Sequence, residues 1–171
     1  MNKKLFIDTE TTGLSRWGGD DLVEVSIIDE DGNLLLSTLV NPGRKITAFA
    51  TDIHGITDAM VASAPGADEV RKLVADIVRD HDVVIYNADF DSQFLELSGA
   101  RSVACCMLRY AEHAGDWNDY FGNWRWHKLS VAASKTGFTW PDSGAHRAEA
   151  DALACRHVWR WLEQHETEPA Q

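Results

Sequence analysis

The sequence lacks a long hydrophobic run. A membrane-spanning helix needs about 20 consecutive apolar residues, and no segment of the 171-residue chain approaches that length. After Lys3 and Lys4 the apolar stretch covers residues 5–7 alone, which is too short for the hydrophobic part of a signal peptide. We therefore expect a soluble protein with a cytoplasmic location and no membrane partner.

The sequence is also poor in cysteine and in positive charge. Its three cysteines, Cys105, Cys106 and Cys155, show no metal-ligand spacing, and the adjacent pair cannot form an ordinary structural disulfide. We interpret them as buried thiols in a reducing compartment. The 16 basic residues against 27 acidic ones give a net charge of −11, which argues against a polyanionic partner. Divalent cations bound to an acid cluster would offset part of this excess, so the charge excludes little.

The apolar content, by contrast, is sufficient for one sizeable core. Hydrophobic residues make up 44% of the chain, and its length favours one domain. We expect that domain to cover residues 1–165, with residues 166–171 forming a disordered tail.

Three apolar segments near the N-terminus have strand character. They cover residues 5–7, 22–29 and 33–40. Asp31 and Gly32 separate the second from the third, and Asp-Gly between two such runs predicts a hairpin. The chain is therefore expected to begin with three strands, of which the second and third are antiparallel.

Strands and helices alternate in the remainder of the chain. The predicted elements are a brief helix after Thr57, a helix over 67–79, a strand over 82–86, a helix from Asn87 that carries Phe94, Leu95 and Leu97, a strand over 101–105, and helices over 107–113, 128–136 and 147–164. Residues 115–126 show no clean period and are interpreted as an irregular segment. Antiparallel strands followed by strands that alternate with helices predict a mixed sheet flanked by helices.

Two acids follow the first apolar segment. On an extended chain Asp8 and Glu10 point the same way, so their carboxyl groups can share one cation. An unpaired carboxylate at the end of a buried strand costs several kcal/mol, which indicates that something positive compensates Asp8. Oxygen ligands suit Mg²⁺ or Mn²⁺. The alternative is a strand-end pair that caps a turn, and the pair alone does not decide between them.

A third acid comes after the strand over residues 82–86. Asp91 lies at the start of a helix there, so its carboxylate is expected at one end of the sheet. Asp89 is about 200° away around such a helix, so both cannot face one site. Asp89 is interpreted as an acid that complements the helix dipole.

A fourth acid lies on the last predicted helix. Asp151 shares a three-and-four spacing with small or apolar residues, which places it on the inward face; these are Ala148, Cys155, Val158 and Leu162. A lone acid there is unfavourable and again indicates a cation. His146 lies five residues earlier, near Asp151 but free to move.

These segments resemble the motifs of a known family, the DEDDh subgroup of the DnaQ-like and RNase T-like 3′–5′ exonucleases. Residues 6–14 resemble its first motif and residues 87–91 its second. The third motif, His-x-Ala-x-x-Asp, is matched by residues 146–151. Residues 53–57 also resemble a segment common among these enzymes. The motifs occur in family order and span nearly the whole chain.

The resemblance implies a fold and a metal site. The fold would be RNase H-like, α/β, with a mixed five-stranded sheet in which three antiparallel strands precede parallel ones. Two Mg²⁺ or Mn²⁺ ions, typically about 3.5–4 Å apart in such sites, would activate the attacking water and stabilise the leaving 3′ oxygen. Their ligands would be Asp8, Glu10, Asp91 and Asp151. His146 would be the general base, because imidazole titrates near neutral pH.

The resemblance also suggests residues that bind the terminal nucleotide. Besides Glu10, these are Thr9, Thr11, Leu14, His54, Asn87 and Phe90. Ordinary roles remain open for several of them: Thr11 and Leu14 in a turn or in packing, Phe90 in the core, and Asn87 as a helix cap.

Two features depart from the family pattern. Tyr86 stands where members often have a histidine, which puts substrate fit in doubt more than chemistry. Residues 115–126 match no family motif. This segment and its flank combine aromatic rings with positive charge, in Trp117, Tyr120, Phe121, Trp124, Trp126, Arg125 and Lys128. Such a combination is typical of stacking on single-stranded nucleic acid, and a satellite hydrophobic cluster is the open alternative.

The expected function is a metal-dependent 3′–5′ exonuclease that acts on single-stranded nucleic acid and releases nucleoside 5′-monophosphates. DNA is favoured over RNA by analogy alone. The alternatives are an oligoribonuclease-like enzyme for short RNA, a non-catalytic nucleic-acid-binding or polymerase-associated module, and an acidic protein-interaction domain. A polymerase or another replication or repair protein is an expected partner, and the sequence gives no oligomeric state.

Overall fold

A five-stranded sheet forms the centre of the protein in a computed structural model that describes residues 3–141 and 145–165. Its strands are Lys4–Thr11 (β1), Leu22–Asp29 (β2), Leu34–Leu39 (β3), Asp82–Ile85 (β4) and Ser102–Cys105 (β5). They lie in the order β3-β2-β1-β4-β5. The pairs β1–β2 and β2–β3 are antiparallel, whereas β1–β4 and β4–β5 are parallel. The predicted mixed sheet is confirmed.

The central strand β1 is apolar on both faces before it reaches the acids. Leu5, Phe6 and Ile7 are at most 1% exposed, and Phe6 packs into a different core cluster from its two neighbours. Because side chains alternate along a strand, Asp8 and Glu10 continue the face of Phe6. The strand is longer than the predicted residues 5–7 and contains both acids.

The predicted hairpin between β2 and β3 turns at Asp31 and Gly32. Gly32 has φ +88°, a conformation that glycine adopts without a steric cost. The Oδ1 atom of Asp29 accepts the backbone N–H groups of Asp31 and Asn33 at 3.0 and 2.9 Å. These bonds satisfy backbone groups that the strands leave unpaired.

Helices cover both faces of the sheet. They are Ala48–His54 (α1), Asp58–Val61 (α2), Ala67–Val78 (α3), Ala88–Asp91 (α4), Cys106–Ala114 (α5), Leu129–Lys135 (α6) and Ala148–His165 (α7). One core cluster joins α3 to the sheet, and a second cluster joins α5, α6 and α7 to the opposite face. The helices predicted over 67–79, 107–113, 128–136 and 147–164 agree with α3, α5, α6 and α7 to within one residue at either end.

Helix α1 lies in a region for which no helix is predicted from the sequence. The hydroxyl of Thr47 caps it by accepting the Ala50 N–H at 3.1 Å, and Gly55 ends it with φ +73°. Its larger apolar residues, Phe49 and Ile53, are 64% and 42% exposed. Because these side chains do not mark a core face, helical periodicity could not reveal the element.

Two other predictions need correction. The helix after β4 ends at Asp91, and Phe94 and Leu95 follow it in turns, although both are buried. The segment interpreted as irregular contains a small antiparallel hairpin, Trp117–Asn118 (β6) with Asn123–Trp124 (β7). Strands of two residues are too short to show alternation, so the pattern could not predict them.

Cys106 and Cys155 are buried, and neither they nor Cys105 forms a disulfide. Within residues 3–141 and 145–165, no helix is long and apolar enough to cross a bilayer. The predicted tail over residues 166–171 lies outside the described residues. The extent of the single domain and the cytoplasmic location stay predictions.

Candidate active site

Three of the four predicted metal-binding acids lie together on one face of the sheet. Asp8 and Glu10 project from β1, and Asp151 projects from the first turns of α7, which packs on that face. One carboxylate oxygen from each lies within 4.8 Å of the others. Glu10 and Asp151 are each 9% exposed. The three acids therefore form one largely buried cluster.

Asp91 reaches the same end of β1 from α4 and is 4% exposed. Its Oδ1 atom accepts two hydrogen bonds from Thr9, one from the backbone N–H at 3.1 Å and one from the hydroxyl at 2.7 Å. Asp89, two residues earlier, is exposed. The helical geometry thus turns Asp91 inward and Asp89 outward, although Asp91 lies outside the 4.8 Å group.

The cluster carries more negative charge than the surrounding protein compensates. Burial, followed by the charge of Asp91, raises the pKa of Asp8 well above its ordinary value. Burial is also the main cause that raises the pKa of Glu10 to about 8, that of Asp91 to about 7 and that of Asp151 to about 6. A bound cation would stabilise the ionised form of these four acids.

His146 lies beside this cluster, just before the N-terminus of α7. Its backbone N–H donates to Oδ1 of Asp151 at 3.2 Å, and its side chain is exposed. It has φ +65°, which is uncommon for a residue other than glycine. The structure therefore brings His146 next to Asp151 and leaves its imidazole open to solvent.

Glu24, which was not predicted to be a site residue, supports the same N-terminus of α7. It lies on β2 directly opposite Glu10 and is 4% exposed. The guanidinium of Arg147 binds its carboxylate from Nε and Nη2 over 2.5–3.2 Å, and the Ala148 N–H donates to Oε2 at 3.0 Å. An acid between Val23 and Val25 in a wholly buried strand was the available signal.

A cleft of about 170 Å³ opens beside Glu10. Five of the six predicted nucleotide-binding residues line it, namely Thr9, Thr11, Leu14, His54 and Phe90. The sixth, Asn87, lines an adjoining cleft of about 260 Å³ that shares Phe90. Phe49 and Ile53 also line the first cleft and were missed because α1 was not predicted.

The walls of this cleft differ in character. Leu14 is 72% exposed, so its side chain is available to a ligand. His54 is 5% exposed, its Nδ1 accepts the Ile56 N–H at 3.0 Å, and its Nε2 lies 3.3 Å from the carbonyl oxygen of Thr11. Burial lowers the pKa of His54. Its ring thus joins α1 to the end of β1.

Residues 5–158 match the family model of the RNase T-type exonucleases. The chain belongs to this exonuclease family. An uncharacterized exonuclease of Escherichia phage 186 is 42% identical to it over 164 residues, which cover 86% of this chain and 81% of the phage protein. A DNA polymerase III subunit epsilon-like protein of Rhodobacter capsulatus is 34% identical over 90% of this chain but only 23% of its own length. This exonuclease-family chain therefore spans most of one relative and less than a quarter of the other.

Solved structures agree with the family. Exonuclease X in complex with 5′ overhanging duplex DNA has a TM-score of 0.71 and 25% identity, covering 95% of this chain and 92% of that one. The zinc-bound E. coli ExoI–ssDNA complex has a TM-score of 0.74 at 18% identity, covering 97% of this chain and 41% of that one, and shows likeness of fold. The RNase H-like fold, the family and the class of nuclease hydrolase predicted from the sequence are confirmed.

The donor set of the acid cluster suits a metal ion. Its donors are carboxylate oxygens, which hard divalent cations prefer. The raised pKa values show that ionised acids here lack sufficient positive partners. An acidic cluster that could hold metal thus lies beside an open cleft in a member of the exonuclease family.

Proposed function

We propose that this chain hydrolyses phosphodiester bonds at the 3′ end of single-stranded nucleic acid and releases nucleoside 5′-monophosphates. The observation that carries the proposal is the convergence of three largely buried acids, from β1 and α7, beside an apolar cleft. The exposed His146 at the edge of the cluster supports it. In an exonuclease fold, such a cluster would meet the end of an entering strand.

Two Mg²⁺ or Mn²⁺ ions would be held by Asp8, Glu10, Asp91 and Asp151. Bound ions would supply positive charge to the carboxylates and to the phosphate as charge develops in the reaction. The second oxygen of Asp91 is the ligand atom left by its two bonds to Thr9, both of which go to Oδ1. Those bonds fix the orientation of the carboxylate.

His146 would accept the proton of the attacking water on an imidazole nitrogen. The water oxygen bonds to the phosphorus, and the bond from phosphorus to the 3′ oxygen of the penultimate nucleotide breaks. The phosphate leaves on the released nucleotide as its 5′-phosphate, and the 3′ oxygen takes up a proton. The exposure of His146 allows its proton to pass to solvent before the next cycle.

The apolar cleft would hold the terminal nucleotide. Leu14, Phe49 and Phe90 offer surfaces against which a base or sugar can pack. Packing on these side chains, together with Thr9 and Thr11, would place the last phosphodiester bond next to the acids.

We favour DNA over RNA as substrate, because the relatives include proteins named for DNA polymerase III. These names also support a proposed polymerase or other replication or repair partner. The competing proposal is an exoribonuclease, since an RNA exonuclease 4 of Cryptococcus neoformans is 34% identical over 55% of this chain. A chain that binds nucleic acid without cleaving it is the third candidate.

A matched pair of 5′-labelled single-stranded DNA and RNA oligomers tests the proposal. With Mg²⁺ we expect a ladder that shortens from the 3′ end, faster for DNA, and no shortening with EDTA. Cleavage in the interior of the strand would contradict the exonuclease function. Faster shortening of RNA would favour the exoribonuclease, and binding without shortening would favour the non-catalytic module.

A further inference from the structure

The two departures from the family pattern meet in the structure. The hydroxyl of Tyr86 donates to the backbone carbonyl of His127 at 2.8 Å. Tyr86 directly follows β4 and precedes the segment that carries Asp91, whereas His127 directly follows the aromatic segment. One hydrogen bond thus joins the end of the aromatic segment to the part of the sheet that positions an active-site acid.

The aromatic segment forms an ordered β-hairpin. Trp117 and Trp124 pair across its strands with ring centroids 4.8 Å apart, and Asp116 and Arg125 close its base through a 2.8 Å backbone hydrogen bond and a 3.3 Å ion pair. Its remaining rings face solvent: Tyr120 is 87% exposed, Phe121 70% and Trp126 63%. Contiguous exposed apolar surface of this kind marks a binding site.

Three neighbouring clefts lead from the acids to this hairpin, and each shares a lining residue with the next. The cleft beside Glu10 shares Phe90 with the adjoining cleft of about 260 Å³. That second cleft shares Trp126 with a third of about 410 Å³, which Phe121 and Trp124 also line. A strand whose 3′ nucleotide occupies the first cleft can therefore continue past Phe90 and Trp126 onto the hairpin.

We propose that the hairpin over residues 116–127 is a stacking platform for unpaired bases upstream of the 3′-terminal nucleotide. The proposal rests on the exonuclease function proposed above. Ring faces accept any base, so the platform fits an enzyme that shortens strands of any sequence. Because the net charge is −11, attraction of phosphates to the surface as a whole is unfavourable. Stacking on the exposed rings provides most of the affinity for the strand, and Arg125 and Lys128 add to it.

Tyr86 is the positioning residue of this platform. It is 6% exposed, so its ring belongs to the core while its hydroxyl fixes the backbone next to Trp126. The change Tyr86→Phe removes the hydrogen bond and keeps the ring. We expect it to weaken the binding of long substrates in the same direction as loss of the exposed rings, and by less.

The test compares substrates of two and eight deoxythymidines with a 5′ label, in Mg²⁺. For the double variant Phe121→Ala, Trp126→Ala, we expect KM for the eight-nucleotide substrate to rise roughly 10-fold per ring lost. Its kcat should stay unchanged, and the rise in KM for the dinucleotide should be smaller, because two nucleotides do not reach Phe121. Trp126→Phe, which keeps a ring, should recover part of the loss. Leu73→Ala is the matched control, because Leu73 is 46% exposed on α3, away from the path.

Two results would overturn the platform. One is an unchanged KM for the eight-nucleotide substrate in the double variant. The other is an equal loss on both substrate lengths, which would mean that the rings act through the catalytic centre. Failure of wild-type protein to cleave either length would refute the proposed function separately. Fluorescence anisotropy of the labelled eight-mer in an Asp8→Asn background then still decides: weaker binding by the double variant supports the platform, and equal binding overturns it.

Discussion

The acid cluster and the aromatic hairpin are held in opposite ways. Asp8 and Glu10 lie on the central strand of the sheet, and Asp151 lies on a helix whose inward face is fully packed. The hairpin has two strands of two residues each and is joined to the sheet by the Tyr86 hydroxyl. The first region is part of the core, whereas the second is a surface addition to it.

This difference assigns catalysis to the acid cluster and substrate binding to the hairpin. Carboxylates that must hold a cation within a few tenths of an ångström need rigid supports, which a sheet and a packed helix provide. Bases that stack on rings tolerate small displacements, so a short hairpin is adequate. Changes in the acid cluster should therefore lower kcat, and changes in the hairpin should raise KM.

The largest expected effect is that of Asp91→Asn. Loss of a proposed metal ligand removes several kcal/mol of transition-state stabilisation, so kcat should fall roughly 1,000-fold. Single-turnover cleavage of a labelled oligonucleotide measures it. Asp89→Asn is the control for kcat, because Asp89 is exposed two residues away and lines only the adjoining cleft. Equal losses in both variants would remove Asp91 from the proposed site.

His146→Ala should have the next largest effect. Removal of a general base typically costs about 100-fold or more in rate, and Mg²⁺ binding should persist because the four acids remain. The rate at neutral pH and the Mg²⁺ affinity, measured by calorimetry, are the two readouts. Full turnover at neutral pH with metal still bound would exclude His146 as the base.

The helices and strands could be predicted from the sequence wherever the spacing of apolar residues indicated a buried face. The helix α7 shows its inward residues at three-and-four spacing, and the acid Asp151 among them indicated the site. Helix α1 was missed because its apolar side chains face a cleft instead of the core. The hairpin was missed because a two-residue strand has no period.

The site was predictable where residues close in sequence act together. Asp91 could be chosen over Asp89 because helical geometry decides between positions two apart. The role of Glu24 could not be assigned, since an acid between two valines indicates a buried position but not its partner, and Arg147 is 123 residues away. Long-range ion pairs leave no local pattern in a sequence.

Loss of this ion pair should have an intermediate effect. Glu24→Ala removes the acceptor of the Ala148 N–H and frees Arg147, whose side chain is 40% exposed and can be solvated. We expect the free energy of unfolding to fall by roughly 2 kcal/mol and kcat to fall roughly 10-fold, because His146 and Asp151 lie at the same helix entrance. Urea denaturation and steady-state kinetics measure both.

Glu149→Ala is the control for this change, since Glu149 is exposed in the first turn of the same helix. A Glu24→Ala protein with wild-type kcat would mean that the pair stabilises the fold without positioning the site. That outcome would leave Glu24 and Arg147 with a structural role only.

We also expect a pH dependence of stability in EDTA. The pKa values of Glu10, Asp91 and Asp151 are raised to about 8, 7 and 6, so the folded state holds these protons more tightly than the unfolded state. Their contribution to stability is therefore present at low pH and is lost as the pH rises from about 4 to about 8. The melting temperature in EDTA should fall over this range, and Mg²⁺ should reduce the fall.

The same measurement separates the two regions. Asp8→Asn should flatten the pH dependence, because it removes an acid whose own pKa is raised well above its ordinary value by burial and by the neighbouring acids. The double variant Phe121→Ala, Trp126→Ala should retain the wild-type slope, since those rings are exposed and lie outside the acid cluster. If the hairpin variant changed the slope as much as Asp8→Asn does, the rings and the acids would be energetically coupled. Catalysis by the acid cluster and substrate binding by the hairpin would then not be separate.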